Sequence, residues 1–401
     1  MKKISMLLGT AILSSTVVIA DEEISPADVI GNTLNSICQP NITANQNTAL
    51  SISCSEIGIG IPGPGGGNGN NAGSAGVSTG ILNSTIYSDR NTKSIKERKE
   101  ELQKKAASGD ILSNERFGFF ASGKMTETER ENTTLETGYE ADTHGLTVGM
   151  DYFFSDQFVA GIAVDYADTD LDYNSNAGGS DYEGVSVITY GSFEAGNGFS
   201  LDGYLGWTGI DYDIQRNISM ASQSPAGTTL NTVANANTEA NKVLTGLNLA
   251  YNMNFNAIEF TPSLSLDYSG TYLDAYAESN VRGLALRYDS QDIQSFKSNL
   301  GFNSSYSISM PWGVLVPQIH GGYIHEFLNH RRTIHASFVQ DITNTDMQFK
   351  TDKPDRDYFV FGGGISSVLT HGVQLFVDYE RTEGHRYLNS FTVSGGVRLA
   401  F

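Results

Sequence analysis

Four histidines stand close together in the last third of the chain: His320, His325, His330 and His335. Glu326, Arg331, Arg332 and Ser337 lie among them. A hydrolytic centre would need a serine held against a histidine that a carboxylate orients. Ser337 is two residues from His335, and that spacing makes no such motif. A metal centre would need about three protein ligands converging on one point. His325, Glu326 and His330 are a possible set. His144, His371 and His385 fall near expected loops or turns. No glycine loop of the phosphate-cradling type is present. The reading assigns no catalytic residue, no metal and no cofactor, and expects no enzyme.

Cys38 and Cys54 are the only cysteines. The chain opens with Lys2 and Lys3, runs uncharged from Ile4 to Ala20, and meets Asp21-Glu22-Glu23. That pattern reads as a secretory signal peptide over residues 1–20, cut after Val18-Ile19-Ala20. Export through a Sec translocon would put both cysteines in an oxidising compartment, where they are expected to pair. Free thiols and a metal site are the alternatives; no histidine lies near to complete a metal set.

Composition narrows the rest. There are 25 Lys+Arg against 45 Asp+Glu, a net charge of -20, which argues against a nucleic-acid binder. Charged residues make up only 17% of the chain, with 43 Gly, 19 Tyr and 20 Phe, which leaves membrane strands open. Residues 21–88 form a small exported segment; Ile61 to Gly80 within it is Gly/Asn-rich and reads as a linker. That leaves a head of about 40 residues, too short for a sizeable core of its own. Residues 89–108 are rich in helix formers and end at Gly109. Arg90, Lys93, Lys96, Arg98 and Lys99 make this helix basic, with only Ile95 and Leu102 as large apolar residues.

From Phe117 onward, runs of about ten residues alternate apolar and polar side chains, the length of a tilted strand crossing a bilayer. Leu146, Val148, Met150 and Tyr152 alternate with Thr147, Gly149 and Asp151. Short turns such as Ser155-Asp156 and Gly196-Asn197-Gly198 alternate strictly with long polar connections: Thr126 to Asp142, Asp211 to Asn241 and His330 to Asp355. This rhythm predicts an all-β, transmembrane, twelve-stranded antiparallel up-and-down barrel over residues 109–401, with short periplasmic turns and long outside loops. A closed barrel satisfies every backbone group without water.

Where apolar side chains face lipid, the opposite parity carries Asp151, Asp165, Glu259, Asp267 and Asp378. An acidic lumen beside a basic helix predicts that the helix lies in the pore as a plug.

The last strand, Phe391-Thr-Val-Ser-Gly-Gly-Val-Arg-Leu-Ala-Phe401, resembles the closing strand of bacterial outer-membrane proteins. The resemblance implies that Phe391, Val393, Val397, Leu399 and Phe401 are read by the barrel-assembly machinery. Asp142-Thr-His-Gly-Leu-Thr-Val-Gly-Met-Asp-Tyr, Phe158-Val-Ala-Gly-Ile-Ala-Val-Asp-Tyr and Pro317-Gln-Ile-His-Gly-Gly-Tyr-Ile-His-Glu-Phe are together similar to the autotransporter (type V secretion) translocator domain. That family's helix just before strand one plugs the barrel, and residues 89–108 hold that place. The resemblance implies an outer-membrane autotransporter barrel that exports and displays its own short N-terminal segment at the cell surface. Its partners would be the lipid bilayer, the Sec translocon and the assembly machinery, with no nucleic acid and a monomeric barrel. Two departures stand out. The passenger is unusually short, and the helix holds only Asn91 followed by Thr92 where some members cut themselves at an Asn-Asn pair. The competing reading is a plugged barrel acting as adhesin or receptor through its long loops.

Overall fold

The computed structural model describes residues 23–38, 49–50, 116–221, 229–279, 281, 283–369 and 373–400. The expected signal peptide, linker, plug helix, Cys54 and Phe401 lie outside the described residues.

Helix α1 spans Pro26–Ile37. The strands are β1 Phe117–Arg130, β2 Tyr139–Ser155, β3 Phe158–Tyr173, β4 Gly178–Gly196, β5 Phe199–Ala221 and β6 Thr229–Tyr251. Then come β7 Met253–Phe255, β8 Ile258–Leu273, β9 Tyr276–Ala277, β10 Leu286–Tyr288, β11 Gln291–Tyr306 and β12 Ile308–Met310. The last are β13 Gly313–Glu326, β14 Thr333–Phe338, β15 Met347–Lys350, β16 Asp357–Leu369, β17 Val373–Glu383 and β18 Leu388–Ala400.

Twelve of these close into one antiparallel barrel, in the order β1-β2-β3-β4-β5-β6-β8-β11-β13-β16-β17-β18 and back to β1. The closing seam pairs Gly118 with Ala400 and runs to Arg130 opposite Leu388. All neighbours are sequential, as the turn rhythm predicts. At the β4–β5 turn Gly196 and Gly198 take φ of +82° and +85° and Asn197 takes 52°, conformations that glycine and asparagine adopt at low cost.

Period two holds along each wall strand, but the polarity of the two faces swaps partway up. In the lower part of β3, Ile162, Val164 and Tyr166 point outward and are exposed on the isolated chain, while Asp165 and Thr169 point inward. Higher on the same strand Asp168, Asp170 and Asp172 point outward, and Leu171 and Tyr173 are buried inside. β5 repeats this: Leu205 and Trp207 face out below, Asp211 and Asp213 above, with Ile210, Tyr212 and Ile214 buried inside. Hydrocarbon requires an apolar outer face; above it, water requires a polar one, and the inner face is then free to be apolar.

This swap corrects two expectations. The Asp211 to Asn241 connection is largely strand: β5 and β6 pair without a break from Phe199 opposite Tyr251 to Ala221 opposite Thr229. The 330–355 connection is not a slack loop either. It supplies β14 and β15, which join β9 and β10 from the β8–β11 connection in a separate four-stranded sheet, β15-β14-β10-β9. Apolar side chains of this sheet, including Ile334, Ala336, Phe338, Met347 and Phe349, share one core with Tyr139, Leu171, Tyr173, Tyr212 and Ile214 of the barrel wall. The molecule therefore has a folded cap over its long-loop end.

Candidate functional site

The lower and middle lumen is a polar wall. Asp151, Asp165 and Asp378 are inward and buried; Glu259 and Asp267 are inward and half-buried. Asp165 accepts a hydrogen bond from Thr147 Oγ1 at 2.6 Å and an ion pair from Lys124 Nζ at 3.3 Å. Asp151 accepts from the Tyr190 hydroxyl at 3.3 Å, and Arg398 Nη2 lies 3.7 Å from its other oxygen. Asp267 accepts from the Tyr204 hydroxyl at 2.7 Å, and Glu259 from Asn252 Nδ2. His320 stands between Asp378 and Glu380, its ring nitrogens 3.7 Å and 3.2 Å from them.

The wall therefore contributes cations of its own. Lys124 and the fully buried Lys242 and Arg398 sit on the same inward parity as the carboxylates. Reading only the acids on that parity missed them, although the alternation that marks Asp151 also marks Lys124 and Arg398. The basic residues Arg90, Lys93, Lys96, Arg98 and Lys99 lie outside the described residues.

The histidine group dissolves in three dimensions. His325 leans outward and its Nδ1 meets Asp357 Oδ1 at 2.7 Å. Glu326 points the opposite way, buried, accepting from Ser295 Oγ and from the backbone amides of Phe296 and Leu328 at 3.0 Å and 2.8 Å. His335 meets Asp346 at 3.0 Å on the cap, while Ser337 donates to Asn344 at 3.2 Å. Strand pleating separates the set that could have ligated a metal. Among the described residues no group of three His, Cys, Asp or Glu is placed to hold one.

At the other end of the lumen stands an element that the sequence reading missed. Ser25 caps α1 by accepting from the Asp28 amide at 3.2 Å, Pro26 opens its first turn, and Ile30, Leu34 and Ile37 lie along one buried stripe. A Ser-Pro-x-Asp start followed by that spacing was the available signal. The stripe and Leu50 join the cap core with β14 and β15. Cys38, just past the helix, is disulfide-bonded. Beside the cap, Arg130 binds both Glu136 and Asp352, at 2.8 Å to the latter. Burial pushes the Glu136 carboxyl up to about 7, with Arg130 opposing.

α1 and the start of β1 thus lie at opposite mouths. α1 packs at the long-loop mouth, whereas β1 begins with Phe117 opposite Tyr152, beside the short β2–β3 turn. The autotransporter beta-domain family model matches residues 119–380, most of the barrel.

The chain belongs to the autotransporter beta-domain family.

It is thus an outer-membrane β-barrel, embedded in the lipid bilayer as a barrel closed within one chain. It is 25% identical over 340 residues to outer membrane protein A of Rickettsia conorii, covering 81% of this chain and 16% of that protein. Against outer membrane protein A of Rickettsia rickettsii it is 25% identical over 338 residues, covering 81% and 14%. The chain therefore spans about a sixth of the length of the curated relatives it matches. Among solved structures, the translocator domain of the autotransporter NalP from Neisseria meningitidis matches with a TM-score of 0.57 at 16% identity. That match covers 79% of this autotransporter chain and 100% of the other. The beta domain of the Bordetella autotransporter BrkA matches with a TM-score of 0.51 at 17% identity, covering 71% and 100%. At these identities the likeness concerns the fold.

Proposed function

We propose that this autotransporter barrel exports and displays its own short N-terminal segment, with residues 89–108 left in the lumen as a plug. The observation that carries the reading is the separation of α1 from the start of β1. α1 is at the long-loop mouth and β1 starts at the short-turn mouth, so residues 51–115 must join the two. Hydrocarbon excludes a polar, Gly/Asn-rich connection from the outer face of the wall. The lumen offers a polar route instead.

Charge supports the same route. The inner wall presents Asp151, Asp165, Asp267 and Asp378 to a segment with seven Lys and Arg against four Asp and Glu between residues 89 and 108. Such pairs in a narrow, partly dewatered space are worth more than the ~0–1 kcal/mol of exposed ones, though desolvation offsets part of the gain. Lys124, Lys242 and Arg398 already balance some of the wall, so the match is between the remaining surplus and the helix. Expected pairing of Cys38 with Cys54 would close a 17-residue stretch of the head.

An epitope inserted after Asp21 tests export. Antibody binding on intact cells is the expected result; an epitope reached only after the outer membrane is opened would sink the reading. Deleting residues 89–105 tests the plug, in single-channel recordings that should show larger conductance. A second reading, an adhesin or receptor acting through its loops, draws on the four-stranded cap, since folded loops present a fixed surface. Replacing 333–350 by a short Gly/Ser turn should then abolish surface adhesion while leaving the epitope displayed.

A further inference from the structure

We infer that α1, Cys38, Ala49 and Leu50 dock as a lid fitted to this barrel's own outer mouth, so that the exported head is held on the barrel and not presented as a free tether. The inference rests on the export reading for how the head reaches that side.

A 12-residue helix is marginal on its own in water. α1 nevertheless buries Ile30, Leu34 and Ile37 completely or nearly so, against residues that come some three hundred positions later in the chain. α1 packs on β15, which brings Met347 and Phe349, and Ile334, Ala336 and Phe338 of β14 belong to the same core. Without α1 these side chains would leave an apolar patch facing water at the tip of the molecule, where monomeric soluble surfaces avoid one.

The fit is specific as well as apolar. Leu50 is fully buried, and its amide donates to Gln340 Oε1 at 3.3 Å. Its backbone lies so close to Gly283 that a Cβ there would stand 2.3 Å from Leu50 N and 2.5 Å from Ala49 C. Gly283 also has φ of +87°, where a side chain is strained whatever the space. At the start of the segment Glu23 pairs with Arg331 at 2.7 Å. Helix, glycine notch and ion pair fix one register of head on cap.

The consequence is directional. The docking surface is made of barrel wall and outer connections, so it exists only on the outer side of a folded barrel. A head that has crossed gains burial by docking, and a head that has not crossed gains none. Docking therefore opposes return of the head through the lumen.

Hydrogen–deuterium exchange on the full chain in lipid nanodiscs tests the lid. Amides from Ile30 to Cys38 should exchange at least ~10-fold more slowly than in the isolated peptide 23–38, because docking alone keeps this short helix formed. Leu34→Asp acts from the helix side and Gly283→Val from the cap side. Each should bring α1 to the peptide's rate, while the heat-modifiable migration of the barrel in detergent gels stays unchanged. Exchange of α1 at the peptide's rate in the unaltered chain would overturn the lid, as would protection that survives both substitutions. The exchange result decides docking alone; the epitope after Asp21 decides export alone, and plug deletion the plug.

Discussion

Arg216 and Glu278 meet as a fully buried two-point ion pair, Nε to Oε1 at 2.7 Å and Nη2 to Oε2 at 2.5 Å. Arg216 belongs to the upper wall strand β5, and Glu278 lies between β9 and β10, so the pair ties the barrel to its cap. The bond set is closed further: Arg216 Nη2 also donates to the Leu284 carbonyl at 3.1 Å, and the Leu286 amide donates to Glu278 at 2.8 Å. Removing one member leaves a buried charge without its counterpart, which costs about 3–5 kcal/mol. Glu278→Gln should therefore unfold the cap while the membrane wall persists. Faster amide exchange confined to 276–288 and 333–350 is the expected readout; unchanged exchange there would show that the pair does not hold the cap.

In the lumen, Asp165 accepts from Thr147 and pairs with Lys124 in a position shut off from water. Asp165→Leu should lower barrel stability by roughly 3 kcal/mol by removing the buried carboxylate that Lys124 pairs with. The double variant with Lys124→Met should recover most of that loss. Urea titration of folding into lipid vesicles, read by heat-modifiable migration, measures both; a double variant no better than the single one would refute the pairing energy.

Leu205 stands in the lower wall of β5, 57% exposed on the isolated chain, at the height where the outer face is apolar. An arginine there would sit in hydrocarbon, so Leu205→Arg should cost about 2–4 kcal/mol in vesicle-folded protein. Glu239→Arg, on the outer face of the upper β6 wall, should change stability by less than about 0.5 kcal/mol. Equal effects at the two positions would contradict the level at which the outer face changes character.

At the cap rim, Glu136 has its carboxyl raised by burial to about 7 from its ordinary 4.5. A raised carboxyl means that the folded state binds more protons than the unfolded one between those values, so stability falls as pH rises through that window. The β1–β2 connection should thus open more readily at pH 8 than at pH 5. Glu136→Gln should remove the difference. His385 nearby has its imidazole lowered by burial, with Asp355 opposing, which makes its own loop less stable as pH falls below about 6.5. Exchange rates of residues 131–138, corrected for the intrinsic pH dependence of exchange, separate the two; a slope that survives Glu136→Gln would assign the effect elsewhere.

The barrel is legible in the amino-acid order because lipid leaves few alternatives. A strand wall that must be apolar outside shows period two in the sequence, and closure demands that short and long connections alternate. Leu146 to Tyr152 and Phe158 to Tyr166 carry that alternation in their order alone, and so does the inward parity of Asp151, Asp165 and Asp378. The upper wall is less legible. Asp168, Asp170 and Asp172 mark the outer face of a strand as Ile162 and Val164 do, but in the sequence a run of acids with Asn and Ala reads as loop.

The sequence by itself determined strand count, order, and which face each residue of the lower wall takes, since those follow from local alternation and from the bilayer. Only the tertiary structure decided that two long connections fold into a sheet, that Arg216 meets Glu278 across 62 positions, and that Ile30, Leu34 and Ile37 share a core with Met347 and Phe349 of β15. Those partners carry no local period. Their burial is a property of surfaces that do not exist until the barrel has closed and brought distant segments to the same mouth.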